Sequence, residues 1–364
     1  MTGEPGRSRF HLLTVADIRH ETADAVSIAF AVPPELRERF HFMPGQYLTL
    51  RIVLEGEELR RSYSICSGLD EDEIRIAVKR IAGGVFSGFA RTRLRRGDAI
   101  EVMSPQGHFT TPLRPEAARL FVGVAAGSGI TPILSILKSV LTREPASSFV
   151  LLYGNRTSRD ILFAEALAAL KDRYLGRLSV THLLSREAQD IPLLHGRLDR
   201  DHIVRLLRAT IPEARLIDQA FLCGPAAMMT EAAETLAALG LAPKHIHVEH
   251  FTAGIGGRAR PSSAEEQQPE RPATDVEIIL DGRRHRIQVP NEVSIIDAAR
   301  DAGLDLPYSC RGGMCCTCRA RLVEGAADMA VNYSLQPWEI AAGFILTCQA
   351  RPITPSLTLD FDQV

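Results

Sequence analysis

Five of the seven cysteines in this 364-residue chain, Cys310, Cys315, Cys316, Cys318 and Cys348, crowd its last sixth, while Cys66 and Cys223 stand alone. Cys310, Cys315 and Cys318 have the spacing C-x4-C-x2-C, and Cys348 follows after twenty-nine intervening residues. That arrangement suits four thiolates holding two irons and their bridging sulfides, a [2Fe-2S] cluster. Arg311, Gly312 and Gly313 form a loop whose amides can approach the sulfurs and tune them. A zinc site is the alternative, but zinc modules usually bring two C-x2-C pairs, and this chain has one. Cys316 sits at the wrong spacing and reads as a small buried filler, leaving Cys310, Cys315, Cys318 and Cys348 as the metal ligands.

The rest of the composition sets limits. With 45% hydrophobic residues the chain has enough apolar material for two or three cores. A net charge of -2 gives no polyanion signal, so nucleic acid is not an expected partner. The longest apolar stretch, Leu120 to Leu137, is broken by Gly127, Ser128, Gly129, Thr131 and Pro132, which does not suit a membrane span. Met1 to Arg9 lacks an apolar signal segment, so the cytoplasm is the expected location, where clustered cysteines point to metal ahead of disulfides.

The rhythm of the chain changes twice. From Phe10 to about Met103, short alternating runs such as Val26 to Phe30, Tyr47 to Leu54, Leu59 to Ile65 and Ile74 to Ile81 lie between Pro and Gly breakers, predicting an antiparallel β-barrel. From Leu120 the order becomes strand, glycine turn, helix, strand, a βαβ pattern that predicts an α/β doubly wound sheet. Predicted elements there include helices at Ala164 to Lys171 and Pro225 to Leu239, and strands at Leu178 to Leu184 and Gln219 to Cys223. Between Ala253 and Thr274 almost no apolar residue occurs, which reads as a linker. Strands at Val276 to Leu280 and His285 to Val289, a helix from Ser294 and the cysteine loop then predict a compact α+β domain. The expected domains are 1–112, 113–252 and 274–364, with 253–273 as linker.

Two segments suit phosphate groups. Arg61-Ser62-Tyr63-Ser64 ends a predicted barrel strand, and Gly83-Gly84-Val85-Phe86-Ser87 opens a helix. A guanidinium and exposed helix amides together suit a diphosphate, so Arg61, Gly84, Val85 and Ser87 are expected to hold that of FAD. Tyr63 offers a flat face for the flavin ring, and Ser64 a hydroxyl near its N5. Alone, Arg and Tyr alternating on a strand describe an exposed face equally well. Further on, Gly127-x-Gly129-x-x-Pro132 follows an apolar strand, the context for a second pyrophosphate turn involving Gly127, Gly129 and Thr131. The next strand ends in Tyr153-Gly154-Asn155-Arg156-Thr157-Ser158-Arg159, without the acidic residue that binds a ribose 2′-OH. Arg156, Ser158 and Arg159 suit a 2′-phosphate, with Asn155 a further cofactor contact, and NADPH is the expected nucleotide.

Taken in order, Arg61-Ser62-Tyr63-Ser64, Gly127-Ser128-Gly129-Ile130-Thr131-Pro132, Cys223-Gly224-Pro225 and the cysteine loop resemble the ferredoxin-NADP reductase superfamily fused to a plant-type [2Fe-2S] ferredoxin. The resemblance covers nearly the whole chain and implies a β-grasp fold for the last domain. Tyr153 to Ser158, Phe221 to Met229 and Asn332-Tyr333-Ser334-Leu335 most resemble the reductases of phenylacetyl-CoA epoxidase (ring 1,2-monooxygenase) complexes. That likeness implies electrons passing from NADPH through FAD and the cluster to an oxygenase component, a diiron epoxidase in phenylacetate breakdown. A Rieske-type oxygenase is the rival acceptor, and a non-catalytic redox sensor the rival of another class. The resemblance further implies that Ser64, Cys223 and Glu249 position the reacting nicotinamide against the flavin. Gly224 and Pro225 would lie beside the nucleotide, and Phe251 over the ring. Plant reductases end at that aromatic residue, whereas this chain continues. Two basic runs, Arg91 to Arg96 and Arg283 to Arg286, read as solvated faces or as docking sites for an acidic partner.

Overall fold

In a computed structural model, residues 9–211, 213, 216–251 and 273–363 are described. By contacts the chain separates into two compact units. One comprises Leu12–Leu59 with Tyr63–Phe251, and the other gathers the C-terminal residues with Arg60–Ser62 and the N-terminal segment up to His11.

Apart from Phe10–His11 and Arg60–Ser62, the larger unit begins with the strands β1 (Phe10–Thr22), β2 (Ala25–Ala31), β3 (Tyr47–Leu54), β4 (Glu57–Ser64) and β5 (Ile74–Lys79). The helix α1 (Val85–Thr92) and the strand β6 (Ala99–Met103) complete this part. The six strands form one sheet in the order β4-β3-β6-β1-β2-β5, and its β1–β2, β2–β5 and β3–β6 pairs are antiparallel. Leu13, Val26, Ile28, Leu48, Leu50, Ile76, Val78 and Val102 point into one core, closed at one side by Phe86 of α1. Each such side chain contributes about 1.5–3 kcal/mol by leaving water.

The chain continues through β7 (Leu120–Ala126), α2 (Ile130–Arg143), β8 (Ser148–Asn155), α3 (Ala164–Arg173) and β9 (Leu178–Leu184). It returns through α4 (Arg200–Thr210), β10 (Gln219–Gly224), α5 (Ala226–Ala238) and β11 (Ile246–His250). All strands are parallel, in the order β11-β10-β7-β8-β9. Successive Cβ atoms of a strand face opposite ways, so Phe121 and Leu151 pack with α2 and α3, while Val122 and Leu152 pack with α4 and α5. Burial on both faces is why these strands read as unbroken apolar runs. The helix α4 has no counterpart among the sequence expectations. Its signal is local nonetheless: Asp199 caps it by accepting from His202 N at 3.0 Å, and Ile203, Leu206 and Leu207 form its buried stripe. Pro225 caps α5 from outside, whereas the sequence pattern places it inside the helix.

The smaller unit contains β12 (Ala273–Leu280), β13 (Arg283–Pro290), α6 (Ile295–Asp301), β14 (Arg319–Glu324), β15 (Ala327–Met329), α7 (Pro337–Ala341), β16 (Phe344–Leu346), β17 (Ala350–Pro352) and β18 (Ser356–Asp360). A five-stranded sheet runs β13-β12-β18-β14-β16, with β12 and β18 parallel. Ile295, Ile296, Ala298 and Ala299 of α6 pack into the same core as Val276, Ile278, Leu357 and Leu359. Ser294 caps this helix, accepting from Asp297 N at 3.2 Å. The predicted linker lies outside the described residues except for its C-terminal edge, where Ala273 already pairs with Pro290. Among the described residues no helix is long and apolar enough to cross a membrane.

Candidate redox site

The parallel sheet changes direction between β7 and β10, because β8 lies on one side of β7 and β10 on the other. Ligands of doubly wound sheets bind outside the carboxyl ends at such a point. The Gly127-Ser128-Gly129 turn sits there. Gly127 has φ +53°, and its carbonyl accepts from Tyr153 Oη at 2.9 Å. A Cβ on Gly129 would lie 2.1 Å from the carbonyl oxygen of Cys223, so only glycine lets the turn lie against the end of β10. Thr131 is buried, and its hydroxyl donates to Ser128 O at 3.0 Å, fastening the turn from within. Gly224 is less tightly held: a Cβ there would be 2.7 Å from Met228 Cε, the movable end of a side chain.

Beside this turn three predicted residues converge. Cys223 and Glu249 are register partners in β10 and β11. Ser64, which ends β4, donates its hydroxyl to Glu249 Oε2 at 3.1 Å. Burial pushes the Glu249 carboxyl up to about 8, with the Ser64 hydrogen bond opposing the rise. Burial, with Glu249 adding to it, also drives the Cys223 thiol well above its ordinary range. At neutral pH the cluster is therefore a neutral carboxyl, a neutral thiol and a hydroxyl. Phe251 packs partly buried against the core that contains Cys223 and Cys66.

Among the expected FAD contacts, Tyr63 packs its ring on Phe86 at 5.3 Å between centroids. Gly84 precedes α1, whose first amides, those of Val85, Phe86 and Ser87, have no partners within the helix. The Ser87 hydroxyl is committed locally, accepting from Ile81 N at 3.1 Å and donating to Gly84 O at 3.2 Å, which leaves its amide as the group available to a phosphate. Arg61 donates to the main-chain oxygen of Arg60 at 2.7 Å.

The residues expected at a 2′-phosphate share one turn after β8. Arg156 donates to Asp160 at 2.9 Å and lies 3.8 Å from Asp24. Ser158 directs its N–H and hydroxyl to Glu187, and Arg159 is exposed. Asn155 is buried, its side-chain amide beside the Tyr153 hydroxyl but without a hydrogen bond of good geometry. An amide so placed at the mouth of a nucleotide fold fits a polar ligand that would satisfy it.

In the smaller unit the four expected ligands fall in two pairs. Cys310 and Cys315 are within hydrogen-bonding reach of one another, and so are Cys318 and Cys348. Main-chain amides surround the sulfurs: Gly312 and Met314 each donate to Cys310 Sγ at 3.4 Å, and Cys310 N lies 3.5 Å from Cys315 Sγ. The loop bends through left-handed conformations at Arg311, Gly313 and Cys316. The Cys316 side chain is directed to Ser334. Two pairs of thiols within a ring of amides suit a binuclear cluster with bridging sulfides.

The chain matches the oxidoreductase FAD-binding domain family over residues 12–111, the oxidoreductase NAD-binding domain family over 124–234, and the 2Fe-2S iron-sulfur cluster binding domain family over 278–352. One component of the 1,2-phenylacetyl-CoA epoxidase of Escherichia coli (strain K12) is 47% identical over 97% of this chain and 98% of its own length. The chain belongs to the FAD- and 2Fe-2S-containing reductases of multicomponent oxygenases. The ferredoxin reductase component of a 3-ketosteroid-9-alpha-monooxygenase from Rhodococcus rhodochrous is 37% identical to this reductase, covering 98% of each chain. Phthalate dioxygenase reductase, a solved modular structure for electron transfer from pyridine nucleotides to [2Fe-2S], aligns with a TM-score of 0.57 at 25% identity, over 97% of this reductase and 98% of that chain. The reductase carries electrons from a nicotinamide nucleotide through FAD and a [2Fe-2S] cluster.

Lys79, absent from the sequence expectations, stands beside the glycine turn. It ends β5, and its Nζ lies 3.6 Å from where a Cβ on Gly127 would be, in front of the glycine turn. Burial, with Arg156 nearby, holds its ammonium below the ordinary lysine range, against the opposing pull of Asp160 and Asp24. No local periodicity reveals that a strand end in the barrel faces a turn almost fifty residues on.

Proposed function

We propose that this reductase takes its electrons from NADPH and delivers them, in the cytoplasm, to the diiron oxygenase component of a phenylacetyl-CoA epoxidase. Its domains are 1–112 for FAD, 113–252 for the nucleotide and 274–364 for the cluster, joined by 253–273. The observation that carries this reading is the full-length, 47% identical likeness to a component of that epoxidase. The convergence of Ser64, Cys223 and Glu249 beside the glycine turn supports it. When bound, FAD turns the electron pair of a hydride into single electrons that the cluster can pass outward.

The protein's own residues bind and orient. Arg61 and the amides of Gly84, Val85 and Ser87 hold the FAD diphosphate, and Tyr63 flanks the ring. Gly127, Gly129, Thr131, Gly224, Pro225 and Lys79 cradle the nucleotide diphosphate, and Asn155, Arg156, Ser158 and Arg159 face its 2′-phosphate. Ser64, Cys223 and Glu249, all neutral at physiological pH, form a dry polar seat for the uncharged reduced nicotinamide, which Phe251 covers. Cys310, Cys315, Cys318 and Cys348 hold the cluster.

Purified reductase would be mixed with a phenylacetyl-CoA epoxidase oxygenase component and, separately, with a steroid Rieske oxygenase, and substrate-dependent NADPH consumption followed. Coupling with the epoxidase is expected. Equal or faster coupling with the steroid oxygenase, which the 37% identical relative would favour, overturns the assignment of partner.

A further inference from the structure

Glu187 has no part in the roles above, yet its carboxylate takes both donors of Ser158 on one oxygen: the main-chain N–H at 2.8 Å and the hydroxyl at 2.9 Å from Oε2. Sheet register delivers it there. Beyond β9 the backbone keeps company with the end of β8, Ser185 N donating to Asn155 O at 3.0 Å and Arg186 N to Arg156 O at 2.8 Å. Glu187 therefore follows two anchored residues and reaches Ser158 across the turn.

Around it Arg156 and Thr157 are also engaged by a carboxylate, that of Asp160, with Asp24 close to Arg156, while Arg159 is exposed and the Asn155 amide is buried beside Tyr153. The Ser158 donors are those that a 2′-phosphate would need. A phosphate dianion arriving at Ser158 must displace Glu187 or accept a second negative charge within a few ångströms, and either costs binding energy. A ribose 2′-OH can instead donate its proton to the carboxylate and leave the pair in place.

We infer that Glu187 is a specificity-determining residue: it competes with the 2′-phosphate for Ser158 and so limits the preference for NADPH over NADH. The inference rests on the reading that Arg156, Ser158 and Arg159 face the 2′-phosphate. Glu187 acts on binding and not on the reacting atoms, so its effect belongs in KM.

The test compares holoenzymes of the wild type, Glu187→Gln, Glu187→Ala, Ser158→Ala and the Glu187→Ala/Ser158→Ala pair. Two readouts are needed: kcat/KM for NADPH and NADH, and inhibition constants for 2′,5′-ADP and 5′-AMP. Both Glu187 variants are expected to raise the NADPH to NADH ratio by about tenfold through KM, the size of one relieved like-charge contact in a part-exposed site. They should tighten 2′,5′-ADP similarly and leave 5′-AMP within about twofold, a split that general disturbance of the fold would not produce. In the Ser158→Ala background the hydroxyl's share of the Glu187 effect should be lost, while the share carried by the main-chain N–H, which alanine keeps, should persist. A rise below roughly threefold in both variants, or an equal tightening of 5′-AMP, overturns the proposal. Failure of the underlying reading looks different: Ser158→Ala and Arg156→Ala would leave the KM for NADPH as it is in the wild type.

Discussion

Ser64 donates a 3.1 Å hydrogen bond to Oε2 of Glu249, joining the end of a barrel strand to the end of a nucleotide-sheet strand 185 residues further along. The carboxyl it meets holds its proton up to about pH 8 because it is buried. An unfolded glutamate releases that proton near its ordinary value of 4.5. The unfolded chain thus binds fewer protons than the folded one across that window, and stability falls as pH rises from about 4.5 through about 8. Glu249→Gln removes this dependence. The difference in unfolding free energy between wild type and Glu249→Gln, read from urea titrations, should change by about 1.4 kcal/mol for each pH unit across the window. His182, His247 and His250, whose burial lowers them below the usual histidine range, give the opposite slope up to pH 6.5 and are common to both proteins. A flat difference would show that Glu249 is ionised in the folded state.

Gly129→Ala forces a Cβ to within 2.1 Å of the Cys223 carbonyl oxygen, a main-chain atom that cannot swing away. The glycine turn must then lift off β10. A loss of about 3 kcal/mol in unfolding free energy is expected, with weaker binding of both NADPH and NADH. Gly176→Ala, where nothing lies within 4 Å, is the control and should stay within about 0.5 kcal/mol of wild type.

The pairing of Cys310 with Cys315 and of Cys318 with Cys348 predicts that alanine at any of the four abolishes the visible absorption of the cluster. Cys316→Ala should keep it, since that side chain is directed to Ser334. Iron and sulfide analysis of the five purified variants checks both halves. Loss of iron from Cys316→Ala alone would reverse the ligand assignment.

Lys79 and Arg156 should separate two parts of the nucleotide. Lys79→Ala is expected to raise KM for NADPH and NADH alike by about tenfold, because the diphosphate is common to both. Arg156→Ala should raise KM only for NADPH. Steady-state kinetics with each nucleotide decides it, and a Lys79 effect confined to NADPH would move that side chain to the 2′-phosphate.

Much of this molecule is legible because its signals are local. The C-x4-C-x2-C spacing places three sulfurs on one loop whatever surrounds it, and the strand, glycine turn and helix around Gly127 are readable within a dozen residues. The apolar runs at Leu120 and Phe149 announce strands buried on both faces. The strand β11 is missing from the sequence expectations although Ile246-His247-Val248-Glu249-His250 alternates as a strand does; its five residues are short, and pairing with β10 fixes them. The helix α4 is likewise absent from the sequence expectations although its cap and apolar stripe are both local.

The sequence by itself determined the order of the three modules, the cysteine set and the glycines at the phosphate turns, since each depends on spacing along a continuous stretch of backbone. Only tertiary structure decided that Ser64 meets Glu249, that Cys223 lies beside Glu249, that Lys79 faces Gly127 and that Glu187 occupies the donors of Ser158. The physical reason is that the ends of β4 and β5 pack against the carboxyl end of the parallel sheet. Its strands are joined by crossovers that bring their carboxyl ends together from distant parts of the chain, so the chemistry there belongs to a register that no single segment contains.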